Sequence, residues 1–201
     1  VGESSFKYFL IAGFLALIGC GTGSLEPKEY MGWIENIENG LKKTEKIGDY
    51  EFSLQYKPIE YVALVESRDV NIEEETLKSK VAELKDFQYY NLKIMALGAA
   101  ELLSANIVEE DEYYGRLNYF VTYAQEDIQL IEANDTLPCS LYLFERNYGL
   151  ANHNNIVLGF KSNNKDADKT VIFNDQVLGT GPVRFKINKE DLLEIPSLKT
   201  N

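Results

Sequence analysis

The sequence predicts an α+β fold, with N-terminal helices followed by an antiparallel β-sheet or sandwich in a single domain after a lipoprotein signal peptide. Three observations predict it. Apolar residues recur at helical spacing in the first half, between Pro27 and Leu97. From Leu117 onward, short apolar runs alternate with clusters of Asn, Asp and Gly, which is the pattern of strands joined by turns. Ahead of both lies an apolar run, Phe9 to Cys20, that ends in Leu17-Ile18-Gly19-Cys20.

That first run reads as residues 1–19 of a signal peptide, with Leu17, Ile18 and Gly19 as lipobox and Cys20 as the lipidated residue. A small residue before the cut lets the backbone enter the peptidase. The run from Phe6 to Gly19 falls short of the roughly 20 apolar residues of a spanning helix. Gly21, Thr22, Gly23 and Ser24 then follow, which is tether chemistry. In the segment that should be basic, Lys7 is offset by Glu3. A single acyl chain holds a protein marginally, whereas two or more give stable anchoring, a condition that a diacyl or triacyl cysteine meets. The membrane, reached through Cys20, is therefore the first expected partner.

Residues 20–26 read as lipidated Cys and short tether, and residues 27–201 as the domain, helical over 27–110 and β-rich over 111–201. Pro27 opens a helix in which Tyr30, Trp33, Ile34 and Ile37 share one face, ended by Asn39-Gly40. Its apolar face is expected to pack on the domain. Trp33, the lone Trp and close to the anchor, is also a candidate membrane or partner contact, because indole favours the interface. A polar stretch, Leu41 to Lys46, leads to a turn at Gly48-Asp49. Phe52, Leu54 and Tyr56 then alternate in a half-buried strand over Tyr50 to Lys57. Beyond Pro58, Ile59 to Val65 fits either strand or helix, with strand the preferred reading.

Asn71 and Glu74 match a capping box, and Glu73 to Glu75 suit the positive end of a helix dipole. The spacing of Leu77, Val81, Leu84 and Ile94 predicts a helix to about Leu97. Strands are expected over Leu117–Tyr123, Asp127–Glu132, Leu137–Glu145, Ile156–Phe160, Thr170–Phe173 and Val183–Ile187, separated by turn-formers. Asn188 and Asp191 are spaced to cap a short final turn before Pro196. Thirteen Tyr and ten Phe supply large buried area for such a body.

Charge excludes some functions. At a formal −12 the surface repels phosphate backbones, so no nucleic-acid partner is expected. It also opposes an electrostatic grip on anionic lipid, so the anchor must be covalent. Past Cys20 the lone thiol is Cys139, which leaves no intramolecular disulfide for the folded body.

No catalytic set assembles from the sequence, and neither cofactor nor metal is expected. Cys139 alternates with Leu141 and Leu143 on an apolar strand face, where burial makes a thiol inert. His153 falls in a loop of turn-formers and, as the lone His, builds no multi-His zinc site. Glycoside hydrolysis needs two carboxylates placed across a bond, and abundance of acids selects no pair. Asp166-Ala167-Asp168 lacks the third ligand and the Gly of a calcium loop. Gly179-Thr180-Gly181 is followed by Pro182 rather than by Lys-Ser or Lys-Thr, so it reads as a hairpin turn.

The stretches WIENIENGLKK (33–43), FSLQYKPIEYVAL (52–64), DTLPCSLYLFERNYGL (135–150) and VIFNDQVLGTGPVRFKI (171–187) resemble a group of small outer-membrane lipoproteins of the Bacteroidota. The resemblance implies a lipid-anchored outer-membrane protein and carries no catalytic residue with it. Surface-exposed lipoproteins of that phylum have an acidic cluster after the lipidated Cys. Here Gly21 to Leu25 is uncharged, which favours the periplasmic face. The function expected is non-enzymatic binding or scaffolding of an envelope protein partner. The alternative is a carbohydrate-binding or glycan-processing lipoprotein, suggested by the aromatic content and the acidic surface.

Overall fold

The computed structural model describes residues 23–68, 72–161, 164 and 166–200. Leu17, Ile18 and Gly19, expected as a lipobox, Cys20, expected to carry the lipid, and Asn71, expected to cap a helix, lie outside the described residues; the helix itself begins at Glu74, with Glu73 at its N-cap and no side-chain cap bond.

In chain order the elements are β1 (Ser24–Leu25), α1 (Pro27–Glu35), β2 (Lys42–Ile47), β3 (Tyr50–Lys57), α2 (Ile59–Ser67), α3 (Glu74–Leu84), β4 (Phe87–Ala96) and α4 (Glu110–Asn118). After α4 the chain continues as β5 (Ile128–Glu132), β6 (Asp135–Pro138), β7 (Leu141–Glu145), β8 (His153–Lys161), β9 (Lys169–Asn174), β10 (Pro182–Ile187), α5 (Lys189–Leu193) and β11 (Ser197–Leu198). The fold is α+β. One antiparallel sheet has the order β2-β3-β4-β8-β7, a second has β10-β9-β5-β6, and β1 pairs in parallel with β11.

The two antiparallel sheets meet across one apolar core. Phe52, Leu54, Leu92, Ile94, Ile156 and Leu158 of the first sheet are sealed from solvent, as are Leu130, Val171 and Phe173 of the second. The Phe52 and Phe173 rings touch across the gap, with centroids 6.3 Å apart. Alternation explains the choice of strand: in β3 Phe52, Leu54 and Tyr56 point inward together, as period-2 geometry requires.

Several expectations are corrected. The helix expected to run from Asn71 to Leu97 stops at Leu84, and β4 follows after the Lys85-Asp86 turn. Tyr90, Leu92, Ile94 and Ala96 alternate into the core, and pairing with β3 and β8 on both sides satisfies their backbone. Ile59 to Val65 is helix α2 rather than strand: Tyr61 and Leu64 are buried at i and i+3, while Val65 is exposed. Leu117 to Tyr123 is helical, the end of α4 running into a π-helical turn over Tyr119–Tyr123. There the buried pair Tyr119 and Phe120 sits on the π-helical turn, and Phe120 stacks on Phe144 at 5.2 Å.

The strand expected over Leu137–Glu145 is broken at Cys139-Ser140, where the chain leaves β6 of one sheet for β7 of the other. The polar stretch from Leu41 is an edge strand, β2, whose Lys42, Lys43, Glu45 and Lys46 discourage further pairing. Helices and strands thus interleave over residues 27–110. Ser24 to Glu26 is not free tether either. Ser24 and Leu25 pair with Ser197 and Leu198, Lys199 N–H donates to the Leu25 carbonyl at 2.8 Å, and Lys199 forms an ion pair with Glu26.

Candidate interaction surface

Strand β3 defines two ends of the body, separated by about 23 Å at the usual strand rise of 3.3 Å per residue. Its Lys57 end gathers α1, α2 and the β1–β11 pair. Gln55 Nε2 donates to the Ile34 carbonyl at 3.1 Å, and Tyr61 OH donates to Glu35 at 2.6 Å. Tyr30, Tyr56, Pro58 and Leu198 line one groove there. The Tyr50 end carries three connections: Gly48-Asp49, residues 97–109, and residues 146–152. Leu97 N–H donates to the Asp49 carbonyl at 2.7 Å, and Ala96 N–H to the Asn152 carbonyl at 2.9 Å.

Each connection at the Tyr50 end is held from within. Arg116 on α4 is buried, and its Nη1 donates to the carbonyls of Leu102, Leu103 and Ala105 at 3.1, 3.3 and 2.8 Å. Those three residues are buried in turn, so the segment closes this end of the core. Asn106 adopts a left-handed φ of 58° and donates its side-chain N–H to Asp49 at 3.1 Å. In the third connection Asn147 organises the turn. Its side-chain N–H groups donate to the carbonyls of Ala151, at 2.8 Å, and His153, and its Oδ1 accepts from Gly149 N–H at 3.0 Å.

That scaffolding presents Tyr148 outward. Its φ is 53°, a left-handed conformation that costs a non-glycine residue about 1–2 kcal/mol. The side chain is 75% exposed, the Arg146 guanidinium lies over one ring face at 4.7 Å, and Leu150 beside it is 90% exposed. Val108 on the neighbouring connection is as open. Strain kept for a bulky, exposed aromatic has no packing return, and such strain concentrates at functional positions.

The residues singled out in the sequence scatter. Trp33 is partly buried against the core on α1, at the Lys57 end. Cys139 is buried, its thiol donates to the Leu141 carbonyl at 3.1 Å, and burial pushes it up to about 11 despite two backbone hydrogen bonds that favour the thiolate. His153 is the first residue of β8, not a loop residue, and is paired with Met95. Burial and the nearby Lys93 hold its pKa below the ordinary value. Ser140, beside Cys139, bonds to Gly159, six residues along β8 from His153. That is about 20 Å of strand, so the two form no dyad.

Asp168 is occupied by Lys186 at 2.7 Å and by Lys189 N–H at 3.0 Å, and among the described residues no group of His, Cys, Asp and Glu could hold a metal ion. The loop before β10 is built on Asp175, whose carboxylate accepts the N–H groups of Val177, Leu178 and Thr180. Sequence reasoning placed Asn147 to Asn155 among turn-formers but missed Tyr148. The signal was a Tyr followed by Gly inside a turn cluster.

These features define an α+β body of two packed antiparallel sheets, with chain entry at one end and a rigidly held, partly apolar loop surface at the other. No family model matches the chain, and neither a curated protein nor a solved structure matches it.

Proposed function

We propose that this chain is a lipid-anchored protein of the bacterial outer membrane that binds or scaffolds an envelope protein partner without catalysing a reaction. In this reading Cys20 carries the lipid, the body faces the periplasm, and the surface around Tyr148 and Leu150 meets the partner. The observation that carries it is the polarity of the body: the chain enters the fold at the Lys57 end of β3, while the exposed Tyr148 and Leu150 are displayed at the Tyr50 end. An anchor at one end leaves the other reaching away from the bilayer. Aromatic side chains held rigidly lose little entropy on binding, which suits Tyr148 as an anchor in a partner's pocket.

The carbohydrate alternative needs aromatic faces gathered in a cleft. The Tyr148 ring already has Arg146 on one face and stands on a protruding turn, so the protein-binding reading is preferred.

The test is crosslinking in intact cells followed by affinity recovery at native expression. The wild-type chain is expected to recover a defined envelope protein, and Tyr148→Ala/Leu150→Ala to recover at least tenfold less. Recovery of the bait alone from wild-type cells would overturn the reading. Mass spectrometry of the purified amino terminus checks the anchor independently.

A further inference from the structure

The Lys57 end also carries a groove of about 450 Å³ of mixed polar and apolar lining, formed among others by Tyr56, Ile59, Glu60, Leu193, Ile195 and Leu198. Leu193, on the last turn of α5, is 54% exposed at its rim. Glu60 is the one carboxylate in the lining, and the nearby Glu26 carboxylate is neutralised by Lys199. Glu194, exposed beside Leu193, also borders this face, so what recommends it for a membrane is its exposed apolar side chain and its place where the chain enters the fold, rather than a lack of acid.

Chain length says what can cover it. Ser24 is already fixed in the fold, paired with Ser197 at the edge of the groove. Three residues, Gly21 to Gly23, separate Cys20 from Ser24, and the four residue-to-residue steps between them span at most about 14 Å. An acyl group on Cys20 sits in the hydrocarbon layer with its backbone at the headgroups, so the body cannot stand off. A tether this short also holds the groove at high effective concentration against the lipid surface.

We infer that the face formed by Ile59, Leu193, Ile195 and Leu198 rests on the bilayer when Cys20 is acylated, with lipid filling the groove. The inference rests on the anchor proposed above. The contact is apolar and shallow, of the kind that enters the headgroup and acyl boundary by several ångströms. It favours zwitterionic over anionic lipid, because the acidic body is repelled by negative surface potential. It also fixes the orientation of the body and aims Tyr148 away from the membrane.

The test uses the full acylated protein in phosphatidylethanolamine/phosphatidylcholine vesicles. A nitrobenzoxadiazole label is placed on Leu193→Cys, and in a second preparation on Tyr148→Cys; the native Cys139 is buried. Nitroxide-chain phosphatidylcholine is expected to quench the label at 193 at least twofold more than the label at 148. Equal quenching at both positions, with mass spectrometry confirming acyl groups on Cys20, overturns the orientation and leaves the anchor standing. An unmodified Cys20 removes the anchor and this inference together. If Leu193→Cys does not fold, Glu194→Cys, exposed on the same turn, reports on the same face.

Discussion

Lys169 on β9 and Glu132 on β5 form an ion pair inside the body, with Lys169 fully sealed and Glu132 nearly so. The same Glu132 oxygen accepts from Gln88 Nε2 and from Asn164 N–H, both at 3.1 Å, and Lys169 Nζ also donates to the Asn164 carbonyl at 2.7 Å. Burial lowers the Lys169 pKa, and Glu132 opposes that shift. Through Gln88 the cluster ties β4 of one sheet to β5 and β9 of the other, and through Asn164 it closes the loop before β9. Removing one partner strands a buried charge. Lys169→Met is expected to cost about 3–5 kcal/mol in urea denaturation. Lys169→Met/Glu132→Leu should recover at least half of that, because both desolvation penalties go together.

Gly159 on β8 lets β7 approach closely. A Cβ there would stand 2.9 Å from the Leu141 Cβ and 3.4 Å from the Phe87 ring. The first neighbour is the root of a strand side chain rather than a flexible tip. Gly159→Ala is expected to destabilise by about 1–3 kcal/mol through overpacking. Gly32→Ala, on the open side of α1 with nothing within 4 Å, should be neutral or stabilising by up to roughly 1 kcal/mol. Thermal unfolding of the two variants checks the contrast.

The Cys139 thiol gives a pH prediction. Its folded value is raised from 9.0 to about 11, chiefly by burial. The unfolded chain therefore releases this proton first as pH rises, and ionisation favours the unfolded state in that window. Stability from the neutral buried thiol is complete below pH 9 and is lost progressively towards 11. Cys139→Ala should flatten that part of the stability profile. Alkylation at pH 8 should be at least a hundredfold slower in the native protein than in denaturant, measured by mass of the modified chain.

Arg116 puts a guanidinium among three carbonyls. Arg116→Met keeps much of the aliphatic stem and leaves those acceptors without their donor, at a cost of about 2–3 kcal/mol. The loss should be local. Amide hydrogen exchange of residues 101–108 is expected to accelerate at least tenfold, while β3 and β4 keep their protection.

How much of this was legible depended on whether one period stood alone. In β3, Phe52, Leu54 and Tyr56 fit a strand and no helix face, and the reading held. Between Leu77 and Ile94 two periods overlap. Leu77, Val81, Leu84 and Ile94 fit a helix, while Tyr90, Leu92, Ile94 and Ala96 fit a strand, and Lys85-Asp86 between them has neither Gly nor Pro to mark the break. Two-sided pairing in the sheet decided for the strand, and pairing is a tertiary fact. At Leu117 to Tyr123 high β-propensity misled: the segment continues α4 as a helical turn that seats Phe120 on Phe144, and tertiary packing won over propensity. The loop surface was half legible: the turn composition around Asn147 could be read, but the outward aim of Tyr148 depends on hydrogen bonds that Asn147 makes in three dimensions.

Tyr148 separates a folding role from a binding role. A Gly at φ 53° has no Cβ to strain, and Tyr148 has little burial to lose at 75% exposure. Tyr148→Gly is therefore expected to leave the protein as stable as wild type or more stable by roughly 1 kcal/mol, measured by thermal unfolding. If the ring is held in place for a partner, the same variant should reduce crosslinked partner at least tenfold in cells. A variant that gains stability while losing its partner marks a residue kept for function at the expense of the fold. Unchanged partner recovery would instead mark the left-handed turn as an incidental feature of the Asn147 loop, and would move the search for the binding surface to Val108 and its neighbours.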